Sequence, residues 1–350
     1  MTTLPKTRAA DPPAVAVEAR RARPFYIGGA LGVLLLVLAV FPLVFTNQQV
    51  ASIGFWALIS VTAVSAWNMF SGYSGYISLG HAVFFGCGAY TAGLLAQDLH
   101  VTGGGELWLI LPAGAVAALI AVPFGLVALR VRRHTFVVIT IAIFFIFQLL
   151  AYDLSFTHGS IGLNAPFLTW DPVTFDTRFY YLALILAIIA VGLSWLVRGS
   201  RFGLQLRAIR DDEDRAAGLG VRATPVKLTA FVISGTLVGF AGALWFFFIG
   251  QVQPPTGFNP NLDLQWALMA FLGGFGTLVG PVVGALIVAP AGEWVTQTFT
   301  NDWLGLLVFG GLFLAVVLLL PRGLLPTIGD KVRSWRAMRG AAGKHREVTR

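Results

Sequence analysis

Charge is scarce in this sequence. Asp, Glu, Lys and Arg supply 11% of its 350 residues, against about 25% in a typical soluble domain, and that shortage excludes a single water-soluble fold. Cysteine is all but missing: Cys87 stands alone, so no intrachain disulfide can form. Of the few histidines only His81 falls within an apolar run, and no His, Asp or Glu pair stands four residues apart inside one. The chain therefore shows no metal-holding or acid–base constellation, and neither an enzyme nor a cofactor or metal is expected. A phosphate-cradling loop of the form G-x-x-x-x-G-K-[ST] is also missing. The lysines are followed by Thr7, Leu228, Val332 and His345, and Lys6 lacks the glycines that would have to precede it.

What the sequence has in abundance is apolar length. Hydrophobic residues make up 57% and there are 40 glycines. A helix needs roughly 20 apolar residues to cross about 30 Å of hydrocarbon. Candidate spans lie at 25–46, 51–70, 78–97, 107–129, 135–152, 180–197, 228–249, 264–279, 281–298 and 303–320. The fold class expected is all-α and polytopic, with about ten transmembrane helices (range 8–10). The glycine-rich span 78–97 and the adjoining pair over 264–298, divided by a Gly-Pro step at Gly280 and Pro281, are the weakest. The first run, Phe25 to Thr46, exceeds the roughly 7 to 15 residues of a signal-peptide core and reads as a retained helix.

Charge tests this register, because Lys and Arg are retained on the cytoplasmic side. With the N-terminus inside, every one of the 24 Lys and Arg except Arg178 falls in the leader over 1–24, the turn at 130–134, the loop 198–227 or the tail over 321–350. Both termini are thus expected in the cytoplasm, flanking one membrane unit over 25–320. The net charge of +8 needs no nucleic acid to explain it; the basic tail suits anionic membrane lipid. Glu293 is the single carboxylate placed within a span, either reaching water near the interface or serving a solute path.

Two segments stand out. From Asn68 to Tyr90 the chain reads NMFSGYSGYISLGHAVFFGCGAY, dense in glycine and hydroxyl groups. Either the backbone departs from a helix at membrane depth, as it does where it lines a solute path, or the glycines allow close helix packing. The first reading makes Asn68, Gly72, Gly75, Ser78, Gly80 and His81 the solute-path candidates. Small residues at Gly235 and Gly239, and at Gly276, Gly280 and Gly284, suit helix-contact faces. The second segment is the loop 199–227, with a charged helix expected over about 202–218 and ended by Gly220 in a left-handed cap. By composition it is a polar connection or a rigid handle for an intracellular partner.

Within that loop Asp214-Arg-Ala-x-x-x-Gly220 resembles the EAA motif of ABC importer permeases, with Asp replacing Glu and Arg215 replacing Ala. The surrounding LRAIRDDEDRAAGLGVRATPVKLTAFVISGTLVGFAGAL, the stretch after Asn68, THGSIGL at 157–163 and GGFGTLVGPVVGAL at 273–286 are together similar to branched-chain amino acid permeases, on the LivM-like side of their heterodimer. The likeness runs in order over about 50–325. It implies a permease subunit in a bacterial or archaeal cytoplasmic membrane. The partners implied are a LivH-like homologous permease, two ATP-binding cassette ATPase subunits that hydrolyse the ATP, and an extracytoplasmic solute-binding protein. It assigns Arg207, Arg210, Asp214, Ala216 and Gly220 to the ATPase-coupling loop. Branched-chain or related amino acids are the implied solutes; urea or small carboxylates, or a self-sufficient carrier or channel, are the alternatives.

Overall fold

The computed structural model describes residues 47–99, 105–166 and 170–298, together with 32, 37–42, 44, 310 and 311. The chain separates into two units, Met1–Thr46 and Asn47–Arg350. In the first, residues 37–42 are helical. Most of the expected span 25–46, nearly all of 303–320 and both basic termini lie outside the described residues.

In the second unit, helix α1 (Gln48–Trp67) continues into a π-helical turn at Asn68–Gly72. After an irregular stretch come α2 (Ala82–Asp98), α3 (Ile110–Ala128) and α4 (Arg133–Asp153). The long α5 (Pro172–Gly199) leads into the short α6 (Arg201–Asp211) and α7 (Glu213–Gly218). Then follow α8 (Ala223–Ile249), the single turn α9 (Pro254–Gly257), α10 (Pro260–Gly273) and α11 (Val279–Thr298). The described sheet is one two-residue antiparallel ladder, with Leu163 opposite Val252. The chain is all-α and polytopic.

Five described helices are long and apolar enough to cross a membrane: Gln48–Gly72, Leu107–Ala128, Arg133–Asp153, Thr174–Gly199 and Ala223–Ile249. They carry the expected spans 51–70, 107–129, 135–152, 180–197 and 228–249. By contrast α2 has 17 residues and α10 has 14. At 1.5 Å per residue these rise about 25 and 21 Å, against the roughly 30 Å of a bilayer core. The break in 264–298 also falls earlier than the Gly-Pro step: α10 ends at Gly273, and Gly274 and Gly276 take positive φ of 134° and 74°. Pro281 instead lies in the first turn of α11, where its missing N–H has no intrahelical partner to lose.

Helix α8 is the centre of the unit, packed against α1, α2 and α3. Glycine makes those contacts close. A Cβ on Gly88 would lie 2.0 Å from the Gly239 carbonyl oxygen, one on Gly242 2.0 Å from that of Phe85, and one on Gly239 2.4 Å from the Ala117 Cβ. The small-residue face at Gly235 and Gly239 is thus a helix contact, as is Gly284 against the Met269 carbonyl. Gly276 differs: it sits in the turn before α11, not on a helix face. Outward, α3 and α4 present Leu119, Val138, Ile146 and Leu149, an apolar surface suited to lipid or another apolar helix.

Candidate functional site

The segment after Asn68 divides between its two readings. From Gly75 to Gly80 the backbone is irregular, with Gly75 at φ +75°, whereas Gly86 and Gly88 lie in the regular helix α2 and serve packing. Irregular backbone in an apolar interior must find partners for its polar groups. Here side chains supply them. The Trp67 indole donates to the Ser78 carbonyl at 2.8 Å, Ser71 Oγ accepts from Ser78 N, and Thr140 Oγ1 accepts from Leu79 N.

At the far end of this stretch α2 begins without a cap of its own, since the His81 side chain makes no capping bond. Asp263, from the first turn of α10, takes that role: Oδ1 accepts from His81 N and Oδ2 from Ala82 N, each at 3.1 Å. Asp263 is fully buried. The sequence reading left it one residue before a span and missed it; an Asp beside Asn259-Pro260 reads from sequence as an ordinary residue of a helix first turn. The His81 ring lies between Phe70, Phe84 and Phe231, and its Nε2 is 2.8 Å from Ser234 Oγ. Ser234 Oγ also lies within hydrogen-bonding distance of the Phe231 carbonyl, and Nδ1 of the ring has no protein partner. Ser78, Gly80 and His81 are all enclosed by this chain. A side chain at Gly80 would meet Phe124 at 2.7 Å and the Thr140 carbonyl at 2.8 Å, so bulk there tests packing.

At the near end, the other solute-path candidates meet the loop. Asn68 spans to the second break, donating to the Thr277 carbonyl at 2.9 Å and accepting from Gly276 N at 2.8 Å. Arg210 of α6 donates to the Gly72 carbonyl at 2.7 Å, and its guanidinium lies 5.2 Å from the Phe275 ring centre. A Cβ on Gly75 would approach Arg210 Cγ at 3.0 Å. Arg198 donates to the Gly276 carbonyl, and Arg133 to the carbonyls of Ile209 and Arg210. Asn68, Gly72, Gly75 and Arg210 are therefore one constellation, while Ser78, Gly80 and His81 form another.

The loop is two helices rather than the single one expected over 202–218. Asp212 is extended (φ −157°, ψ 109°) and its side chain accepts from Arg215 N; a carboxylate that can cap the next helix competes with continuing the first. Gly220, at φ +87°, closes α7 with Gly220 N to the Ala217 carbonyl and Val221 N to the Ala216 carbonyl, a Schellman ending. Of the coupling-loop candidates, Asp214 is exposed and pairs with Arg132 at 3.2 Å. Ala216 is buried, and Arg207 bends back onto the Gly203 and Arg198 carbonyls. The exposed leucines Leu204 and Leu219 were not singled out from the sequence.

The comparisons with known proteins bear on this arrangement. A family model described as "Branched-chain amino acid transport system / permease component" matches residues 49–317. This chain belongs to that family. It is 28% identical over 322 residues to the high-affinity branched-chain amino acid permease LivM of Escherichia coli K12, covering 84% of this chain and 74% of LivM. With LivH of Salmonella typhimurium it shares 27% over 288 residues, 77% of this chain and 91% of LivH. The xylose permease XylH of Haemophilus influenzae is 31% identical over 138 residues, 38% of this chain and 37% of its own. No solved structure gives a significant match.

One further cluster of this permease went unnoticed in the sequence. Lys227 of α8, its side chain only 3% exposed, donates to Glu213 Oε1 at 2.6 Å and to the Tyr76 hydroxyl at 3.0 Å. The Tyr76 hydroxyl donates in turn to Glu213 Oε2. Burial pushes the Glu213 carboxyl up, but the hydrogen bonds from Lys227 and Tyr76, with the charges of Lys227 and Arg133, outweigh it and hold the group below its ordinary value. The carboxylate is thus kept at neutral pH, and its contribution is lost only as pH falls through that lowered value. Lys227 and Glu213 read from sequence as two charges of a polar loop; their pairing over Tyr76 exists only in three dimensions.

Proposed function

We propose that this permease is the membrane subunit of an ATP-driven importer for branched-chain or related amino acids, working beside a LivH-like permease with two ATP-binding cassette ATPases and an extracytoplasmic binding protein. The family match over most of the chain carries this reading. The loop adds support: a short helix, closed by Gly220, sets Asp214 and the exposed Leu219 outward, while the preceding segments of the chain, through Arg198 at the end of α5 and Arg210 of α6, are tied to both backbone breaks. In this reading α6 and α7 face the cytoplasm, where the ATPases dock, in the cytoplasmic membrane of a bacterium or archaeon, and both termini lie on that same side. The solute path follows the broken stretch at Gly72–His81, where Gly75, Ile77 and Leu79 are half-buried rather than fully enclosed. Trp67, Ser71, Ser78 and Thr140 hold that backbone in place.

Uptake in proteoliposomes tests the assignment. The purified chain alone should hydrolyse no ATP. Asp214→Ala and Gly220→Val should each insert normally and lower uptake by about tenfold, since coupling free energies commonly amount to 1–3 kcal/mol. Full uptake in both variants would remove α7 from the coupling step. Sidedness is tested separately in a Cys87→Ala background. A cysteine near Asp171 should react with an impermeant thiol reagent from outside and one near Asp212 should not; the reverse pattern would overturn the orientation.

A further inference from the structure

We propose that Tyr76, Glu213 and Lys227 are positioning residues for transport, forming the contact through which displacement of α7 reaches the broken backbone at Gly75–Gly80. The inference rests on the coupling reading above and adds to it the route of transmission.

Three elements meet at this point. Glu213 is the first residue of α7, Tyr76 directly follows Gly75 at φ +75°, and Lys227 belongs to the central helix α8. Their polar atoms close a ring: the ammonium reaches both Glu213 Oε1 and the Tyr76 oxygen, and the Tyr76 hydroxyl reaches the other carboxylate oxygen. The ammonium also lies 4.1 Å from the centre of the Tyr76 ring, within cation–π range. A charge buried this deeply cannot give up its partner without being left unpaired in an apolar surrounding. When α7 moves, Glu213 therefore either carries Tyr76 with it or breaks from the pair, and both outcomes change the stretch after Gly75.

The other ties between loop and breaks do not serve α7. Arg210 on the Gly72 carbonyl and Arg198 on the Gly276 carbonyl anchor α6 and the end of α5. The extended Asp212 separates α6 from α7, so a push on α7 can be relieved there before it reaches Arg210. Among the described residues, the Glu213 contact is the hydrogen-bonded link from α7 to the broken stretch. It lies on the helix that also carries the exposed Asp214, the part of the loop open to a partner.

The experiment uses the full complex of this chain, its companion permease, both ATPases and the binding protein in proteoliposomes, and reads uptake per ATP hydrolysed. Tyr76→Phe keeps the ring beside the ammonium and removes only the hydroxyl; Glu213→Gln removes the charge of the linking group. In both, the complex should assemble and hydrolyse ATP within about twofold of the parent while uptake per ATP falls about tenfold. The pair Glu213→Gln with Lys227→Met, which removes the buried charge altogether, should restore any lost assembly without restoring uptake per ATP. Unchanged uptake per ATP in both single variants would overturn the proposal, leaving a brace of the fold. Loss of assembly in all three would overturn it as well. Failure of the underlying reading looks different: the parent chain would take up solute with no ATPase present.

Discussion

Alanine at position 263 should remove most of the folded permease from the membrane. Asp263 satisfies two backbone N–H groups at the start of α2, those of His81 and Ala82, from a site with 1% exposure. Leaving a buried donor without its acceptor is worth about 1–3 kcal/mol, and more where the acceptor is charged. Two such losses approach a large part of the roughly 5–15 kcal/mol that separates a typical native state from its unfolded one. That helix start has no cap from its own N-cap residue, His81. Size-exclusion profiles of detergent-extracted, fluorescently tagged protein would show the effect as a collapse of the monodisperse peak. Asp263→Asn, which keeps one acceptor oxygen, should fall between parent and Asp263→Ala. A parent-like profile for the alanine variant would mean that α2 starts by some other means.

The second large effect should come from a single methyl group. Gly88 and Gly192 are both helical glycines in apolar surroundings and look alike in sequence. A Cβ on Gly88 would stand 2.0 Å from the Gly239 carbonyl oxygen, while one on Gly192 would meet nothing within 4 Å. Gly88→Ala forces α2 and α8 apart along a backbone-to-backbone contact; overpacking of this kind generally costs about 1–3 kcal/mol, and sometimes more. Gly192→Ala should be neutral or slightly stabilising, since alanine is favoured over glycine in a helix interior by roughly 1 kcal/mol. Thermal inactivation of extracted protein should therefore separate the two variants clearly, with Gly88→Ala inactivated far sooner. Equal behaviour would show that the α2–α8 contact is not tight in solution.

His81 illustrates how far sequence reading reached. A lone histidine in an apolar run is visible at once, and so is its unusual glycine-rich setting. That its ring would pair with Ser234 between three phenylalanines is not visible, because Phe84 is near in sequence while Phe231 and Ser234 are about 150 residues away. Likewise the end of α7 at Gly220 was legible, since glycine alone adopts the left-handed cap without strain. The break at Asp212 was not, because Asp suits both a charged helix and the cap of a new one. The Gly-Pro step misled for a related reason: proline disrupts a helix interior but fits its first turn, and the sequence does not say which of the two it occupies.

What this sequence determined by itself is what depends on runs along the chain. Apolar length established an all-α membrane protein, four ordered motifs indicated its family, and local glycine and hydroxyl density singled out the stretch that holds one of the two breaks. Tertiary structure alone decided which groups answer one another across those runs. Asp263 reaches His81 across 182 positions, Asn68 reaches Thr277 across 209, and Tyr76 reaches Glu213 across 137. The physical reason is that irregular backbone and buried charge in an apolar interior must be satisfied by whatever polar group the packing brings near. Packing is settled by shape, through contacts such as Gly88 on Gly239, and shape is a property of the folded chain rather than of any one segment.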